Sequence, residues 1–82
     1  MTKDLSDCYQ IGWKYNKGTM ANIGNVFDPR TCQELCEAKP LCAFFVFSTA
    51  ERSALNNTCS LKKSNAYPVQ AVNVIAGTRD CK

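Results

Sequence analysis

The sequence predicts an α+β domain in which one helix packs on an antiparallel sheet. Three observations support this fold class: an amphipathic helical segment between residues 28 and 40, several short β-prone segments around it, and six cysteines in 82 residues. A chain of this length buries only about 60% of its unfolded surface, so its apolar core alone is marginally stable. An even number of cysteines in so short a chain indicates a disulfide framework.

The first β-prone segment covers residues 8–15, and Gly12 predicts a bulge within it. Its aromatic side chains alternate along the strand and are expected to pack on the sheet: Tyr9, Trp13 and Tyr15. A turn is expected at residues 16–18. A second short strand is expected at residues 26–27.

The helix has the clearest signals for its two ends. Asp28 is a favourable N-cap, and Pro29 stands at the first helical position, where its missing N–H has no cost. The helix then runs through residues 30–38, with Lys39 in its last turn, and Pro40 stops it.

The most apolar β-prone segment, residues 42–49, is predicted to be the central strand because both of its faces are apolar. One face carries Cys42, Phe44 and Val46, and the other carries Ala43, Phe45 and Phe47. After a polar loop at residues 50–57, a strand at residues 58–63 is expected to pair back with it as a hairpin. A turn at residues 64–68 and a last strand at residues 69–76 complete the sheet.

The six cysteines allow 15 pairings, and helix geometry removes some of them. Cys32 and Cys36 project side by side from one helical face, too far apart to bond with each other, so each is expected to bond to the sheet side of the core. Cys42 lies just past the helix, and Cys59 lies on the strand beside the central one. We therefore predict three nested bridges: Cys8–Cys81, Cys32–Cys59 and Cys36–Cys42.

Composition excludes several function classes. The chain has no histidine, so Ser-His and Cys-His catalysis and histidine-containing zinc sites are excluded. The acids are scattered, no Cys-x-x-Cys pair exists, and a zinc ribbon would need paired cysteines two residues apart. We expect no enzymatic activity, no cofactor and no metal. A net charge of only +3 argues against nucleic acid as a partner, and the absence of an 18-residue apolar run argues against membrane insertion.

Four sequence blocks resemble the PAN/apple module. They are TCQELC at residues 31–36, PLCAFFVF at residues 40–47, NTCSLK at residues 57–62 and VIAGTRDC at residues 74–81, where Ala76 replaces a common serine. The resemblance covers residues 8–81 as a single module, with residues 1–7 as a disordered leader or expression remnant. It implies an antiparallel sheet cradling one helix, and it agrees with the three nested bridges.

The resemblance also implies a function in binding. Among the branches of the family, the chain looks closest to the tandem PAN modules of coccidian microneme adhesins. It is therefore expected to be a non-catalytic, secreted adhesive module, monomeric in isolation, that binds a host-surface carbohydrate or protein or another secreted adhesin. A protein–protein docking module and a structural spacer in a tandem array are the alternatives.

One surface is a candidate for ligand contact. Lys62, Lys63, Tyr67 and Arg79, with Arg52 in a preceding loop, combine cationic donors with one aromatic face. The alternative is ordinary solvated charge. Asn56 begins an Asn-x-Thr sequence and is a possible glycosylation site.

Overall fold

The computed structural model describes residues 9–48 and 57–80. Their elements are β1 (Gln10–Asn16), β2 (Thr19–Ile23), α1 (Pro29–Glu37), β3 (Phe44–Ser48), β4 (Thr58–Lys62) and β5 (Tyr67–Thr78). The strands form one antiparallel sheet in the order β1-β5-β3-β4-β2, so the predicted central strand and its hairpin with β4 are confirmed. The predicted leader, the Cys8–Cys81 bridge, Arg52 and Asn56 lie outside the described residues.

The helix begins and ends close to its predicted limits. Asp28 has an extended backbone, and its Oδ1 accepts a hydrogen bond of 2.8 Å from the backbone N–H of Thr31. The side-chain and backbone hydrogen bonds from Thr31 lower the pKa of the Asp28 carboxyl. The sequence predicts Lys39 in the last turn, but this is wrong, because α1 ends at Glu37. Pro40 disfavours helical backbone at the residue before it, which explains why the helix ends before Lys39.

The second strand is not where the sequence predicts it. β2 pairs with β4 through residues 19–23, whereas Val26 and Phe27 lie in the connection to α1. The Val26 side chain is buried in the core, and its backbone N–H donates to the carbonyl of Asn57 over 3.0 Å. Phe27 is 89% exposed. Both residues are β-prone types, but one is used as a core anchor and the other faces solvent.

The sheet has two faces with different coverings. On one face, which we call the helix face, α1 covers buried side chains that include Phe45, Phe47 and Leu61. On the opposite, open face, Val46, Ala76 and Tyr15 form a smaller cluster with half-buried Phe44 and Val74. β3 therefore contributes apolar side chains to both faces, as its sequence predicts.

Two disulfides fasten the helix side of the core. Cys32 of α1 bonds to Cys59 of β4, and Cys36 of α1 bonds to Cys42, with Cα–Cα distances of 5.4 and 5.3 Å. These are the two pairs that the sequence predicts for the helix cysteines. Their side chains are buried, so the bridges are part of the core beneath α1.

An irregularity in the pairing of β1 at Gly12 separates the aromatic side chains of this strand. Gly12 has a φ of 84°, and the register between β1 and β5 shifts at this residue, as the sequence predicts. Gly12 stands opposite four residues of β5, and its left-handed backbone reverses the alternation of side chains along β1. Tyr9 therefore meets Phe45 edge-on beneath the helix at 5.4 Å between ring centroids, whereas Tyr15 stacks on Phe44 at 4.0 Å on the open face.

The start of β1 and the end of β5 lie side by side. Gln10 pairs with Ala76. Gln33 of α1 connects the residue before Gln10 with the segment that follows Ala76. The Tyr9 hydroxyl donates to Gln33 Oε1 at 2.6 Å, and Gln33 Nε2 donates to the carbonyl of Arg79 at 3.3 Å. One buried amide thus joins the two ends of the described chain to the helix.

Candidate functional site

Arg79 lies on the helix side of the molecule and supports the end of α1. Its guanidinium donates to the carbonyl of Glu37 at 2.8 Å and to the carbonyl of Pro40 at 2.9 Å. The last carbonyls of a helix have no partners inside the helix, and a cation near them is also attracted by the negative end of the helix dipole. Arg79 therefore supplies the positive charge at the end of α1, where the sequence predicted Lys39.

The other three residues of the predicted patch make different contacts from Arg79. Lys62 is half-buried on the open face and donates through Nζ to Thr19 Oγ1. Lys63 is exposed just past β4, and Tyr67 is exposed at the start of β5, where its hydroxyl accepts from Asn16 Nδ2 at 3.2 Å. The Arg79 guanidinium contacts the end of the helix and Lys62 lines the open face, so these two predicted residues are directed to different parts of the molecule. Ligand binding by Lys62, Lys63, Tyr67 and Arg79 stays a prediction.

A pocket of about 410 Å³ lies on the open face and includes Lys62. All five strands contribute to its lining, so it is part of the sheet and not of a single loop. Its described lining residues are Lys14, Tyr15, Asn16, Asn22, Val46, Ser48, Ser60, Lys62, Ala71, Val72, Asn73 and Val74. They comprise two cations, three amides, two serine hydroxyls, a tyrosine and a group of small apolar side chains. We call this the open-face pocket.

An irregular stretch of β5 builds one side of the open-face pocket. Between the flanking pairs of β1 and β5, Gly12 alone faces residues 71–74, and all four of these residues line the pocket. Asn73 has a φ of 60°, a left-handed conformation that asparagine tolerates better than most residues. Val72 is 82% exposed beside the pocket. Bulges of this kind bend a strand and redirect its side chains.

Two polar groups of the open-face pocket are held in place by side-chain hydrogen bonds, one across strands and one within β1. The Ser60 hydroxyl of β4 donates to Asn22 Oδ1 of β2 at 2.6 Å, and the Tyr15 hydroxyl donates to Gln10 Oε1 at 3.0 Å. Tyr15 is also fixed by its stacking on Phe44. Groups held on a rigid sheet can meet a ligand with little loss of side-chain freedom.

The charge of the open-face pocket is positive. Burial lowers the pKa of the Lys62 ammonium, and the nearby positive charge of Lys14 lowers that pKa further. None of the acids in the described chain lines the pocket: Asp28, Glu34, Glu37 and Asp80 lie elsewhere. Residues 9–48 and 57–80 contain no group of three acidic, cysteine or histidine side chains placed to hold a metal ion.

Most of the open-face pocket was missed by sequence reasoning. Lys62 was predicted as a contact residue, but Lys14, Asn22, Ser60 and Asn73 were not. Asn22 is a neighbour of Ser60 only through the pairing of β2 with β4. Alternation along β4, which puts Ser60 and Lys62 on the face opposite Cys59 and Leu61, is the signal that could have identified two of them.

The comparison with known families identifies the fold. A family model described as PAN domain matches residues 11–62, from within β1 to the end of β4. The chain belongs to the PAN domain family. The small disulfide-rich α+β PAN fold that the sequence predicts is therefore confirmed.

PAN domains are binding modules for proteins and carbohydrates in adhesion and are generally non-catalytic. No curated protein matches this sequence. In the described part of this PAN domain, no helix has the length and apolarity that a membrane crossing requires. Its disulfides are consistent with an extracellular location.

Proposed function

We propose that this PAN domain is a non-catalytic module of a secreted adhesive protein and binds a host-surface carbohydrate in the open-face pocket. One observation carries the proposal: a pocket formed by all five strands combines hydroxyl, amide and ammonium groups with small apolar side chains. Ligand pockets commonly have this combination of an apolar lining with a few fixed polar groups.

The chemistry of the lining suits a sugar. Each sugar hydroxyl both donates and accepts hydrogen bonds, and the amides of Asn16 and Asn22 offer both kinds of group in principle. Val72 and Val74 present apolar surface for the C–H groups of a sugar ring, whereas Val46 and Tyr15 line the pocket as buried side chains. The resemblance of the cysteine and strand pattern to coccidian microneme modules supports attachment to a host cell as the setting.

The proposal can be tested by screening the isolated domain against a glycan array and mapping any hit by NMR chemical-shift changes. We expect the changes to concentrate on the strands that line the open-face pocket. Ser60→Ala removes the hydroxyl that Asn22 accepts from, and we expect it to weaken sugar binding about fivefold, the equivalent of one hydrogen bond.

Ser64→Ala is the matched control, because Ser64 is an exposed serine outside the pocket. It should bind like the unmodified domain. Shifts confined to the helix face, or equal losses in the two variants, would contradict the proposal. A domain that binds no glycan but captures a partner adhesin would be a docking module, and one that binds neither would be a spacer.

A further inference from the structure

We infer that the open-face pocket selects a sugar that carries an acid group, and that Lys62 and Lys14 together form the subsite for its anion. This inference rests on the proposed function and specifies its ligand. The anion can be a carboxylate or a sulfate, because both accept hydrogen bonds from ammonium groups.

The placement of the two lysines supports an anion subsite. Lys62 comes from β4 and Lys14 from β1, strands at non-adjacent positions in the sheet, yet both line the same pocket. No carboxylate stands among the described lining residues. Lys62 is half-buried, and its contact with Thr19 Oγ1 accounts for one of the three donors of its ammonium.

The electrostatics of Lys62 favour the same ligand. Burial and the positive charge of Lys14 both act against the charged form of Lys62, as its lowered pKa indicates. A bound anion would offset both effects, because it stabilises an ammonium with an opposite charge and with direct hydrogen bonds. An uncharged sugar would offer hydrogen bonds but no compensating charge.

The rest of the lining favours an acidic sugar over an isolated anion. Ser60 and Asn22 form a linked hydroxyl–amide pair, and Val72 and Val74 provide apolar surface in the same pocket as the cations. A small inorganic anion would leave this surface unused. A sugar ring with one acid group can use the polar pair, the apolar surface and the cations together.

Three methyl glycosides separate these possibilities: the β-glucoside, the β-glucuronide and the 6-sulfated β-glucoside. NMR titration of the unmodified domain should give an affinity for at least one acidic glycoside about tenfold above that for the neutral glucoside, as expected for one charge-assisted hydrogen bond. The acidic form that binds more tightly identifies carboxylate or sulfate as the group the pocket takes. Raising the salt concentration should weaken binding of the acidic glycoside more than that of the neutral one.

Lys62→Gln and Lys39→Gln make the same charge change, but only Lys62 lines the pocket, and Lys39 is an exposed residue outside the predicted patch. We expect Lys62→Gln to reduce affinity for the acidic glycoside about tenfold and to leave the neutral glucoside unchanged. Lys39→Gln should change neither. Lys14→Gln, an exposed substitution that does not threaten folding, should show the same selectivity as Lys62→Gln with a smaller loss.

Equal affinities for acidic and neutral glycosides, with shifts at the pocket, would overturn the anion subsite and leave the proposed function standing. Equal losses in Lys62→Gln and Lys39→Gln would also overturn it, because only general surface charge would then matter. If neither acidic glycoside binds while the array yields neutral sugars at the pocket, the inference fails alone. If no glycan binds at the pocket, both the inference and the proposed function fail.

Discussion

The two faces of the sheet are built from different chemistry. The helix face is covered by α1 and closed by two buried disulfides, with Phe45 and Leu61 completely buried beneath it. The open face has a smaller apolar cluster around Tyr15 and Val46, and beside it lies a pocket lined by polar and cationic groups. The difference indicates a division of roles in which one face holds the fold and the other is available to a ligand.

Opening the disulfides of the helix face should produce the largest losses of stability. Cys32→Ala/Cys59→Ala opens a bridge spanning 27 residues and detaches α1 from β4, whereas Cys36→Ala/Cys42→Ala opens one spanning only 6 residues. The loop-closure model gives losses of about 3.6 and about 2.4 kcal/mol. We expect the first variant to lose its cooperative thermal transition and the second to keep one at a lower midpoint, as measured by circular dichroism.

The comparison between the two bridges also has a clear negative outcome. Equal melting behaviour of the two double variants would mean that the attachment of α1 to β4 does not govern stability. The thermal transitions of the reduced and the oxidised unmodified protein give the lower and upper limits with which the transitions of both variants are compared.

Neighbouring phenylalanines of β3 test the packing of the two faces. Phe45→Ala should cost about 3–5 kcal/mol of unfolding free energy, because its ring is fully buried and contacts Tyr9. Phe44→Ala should cost about half as much, because its half-buried ring already faces solvent in part. Urea denaturation measures both losses. A loss at Phe44 as large as that at Phe45 would show that the open face contributes equally to stability.

Substitution of Arg79 should cause the smallest loss of unfolding free energy. It also tests whether this residue serves stability or ligand binding. Arg79→Ala removes the guanidinium from the carbonyls of Glu37 and Pro40, and we expect a loss of about 1–2 kcal/mol in unfolding free energy. Arg79→Lys should recover less than half of it, because an ammonium lacks the planar fork. Sugar binding should be unchanged in both. Weaker binding at unchanged stability would instead make Arg79 a ligand contact.

Sequence reasoning succeeded where the determinants are close together in the chain or carried by cysteines. Asp28, Pro29 and Pro40 predicted the helix, and the helical spacing of Cys32 and Cys36 predicted their partners. The apolar character of both sides of β3 predicted its central position. In each of these cases, the spacing of residues along the chain is combined with one strong preference: that of proline for a helix end, of cysteine for a disulfide partner, or of apolar side chains for burial.

Sequence reasoning did not succeed where a feature depends on contacts between distant parts of the chain. Residues 19–23 have no alternating pattern of their own and become a strand through pairing with β4. Arg79 reaches carbonyls about 40 residues away, which no spacing rule anticipates. The open-face pocket depends on residues 71–74, whose irregular pairing with β1 is a property of the assembled sheet and lies beyond the matched range of the PAN domain.

The side-by-side ends of β1 and β5 have a mechanical consequence. A force that pulls residues 9 and 80 apart acts along the hydrogen bonds of an antiparallel pair, so the bonds are loaded one after another from the Gln10–Ala76 end. Strands loaded in this direction open like a zipper and resist little. The predicted Cys8–Cys81 bridge would carry this tension first, and Gln33, which holds the Tyr9 hydroxyl and the Arg79 carbonyl together, would carry it once that bridge is reduced. With the bridge reduced, this one amide would act as a latch on the fold.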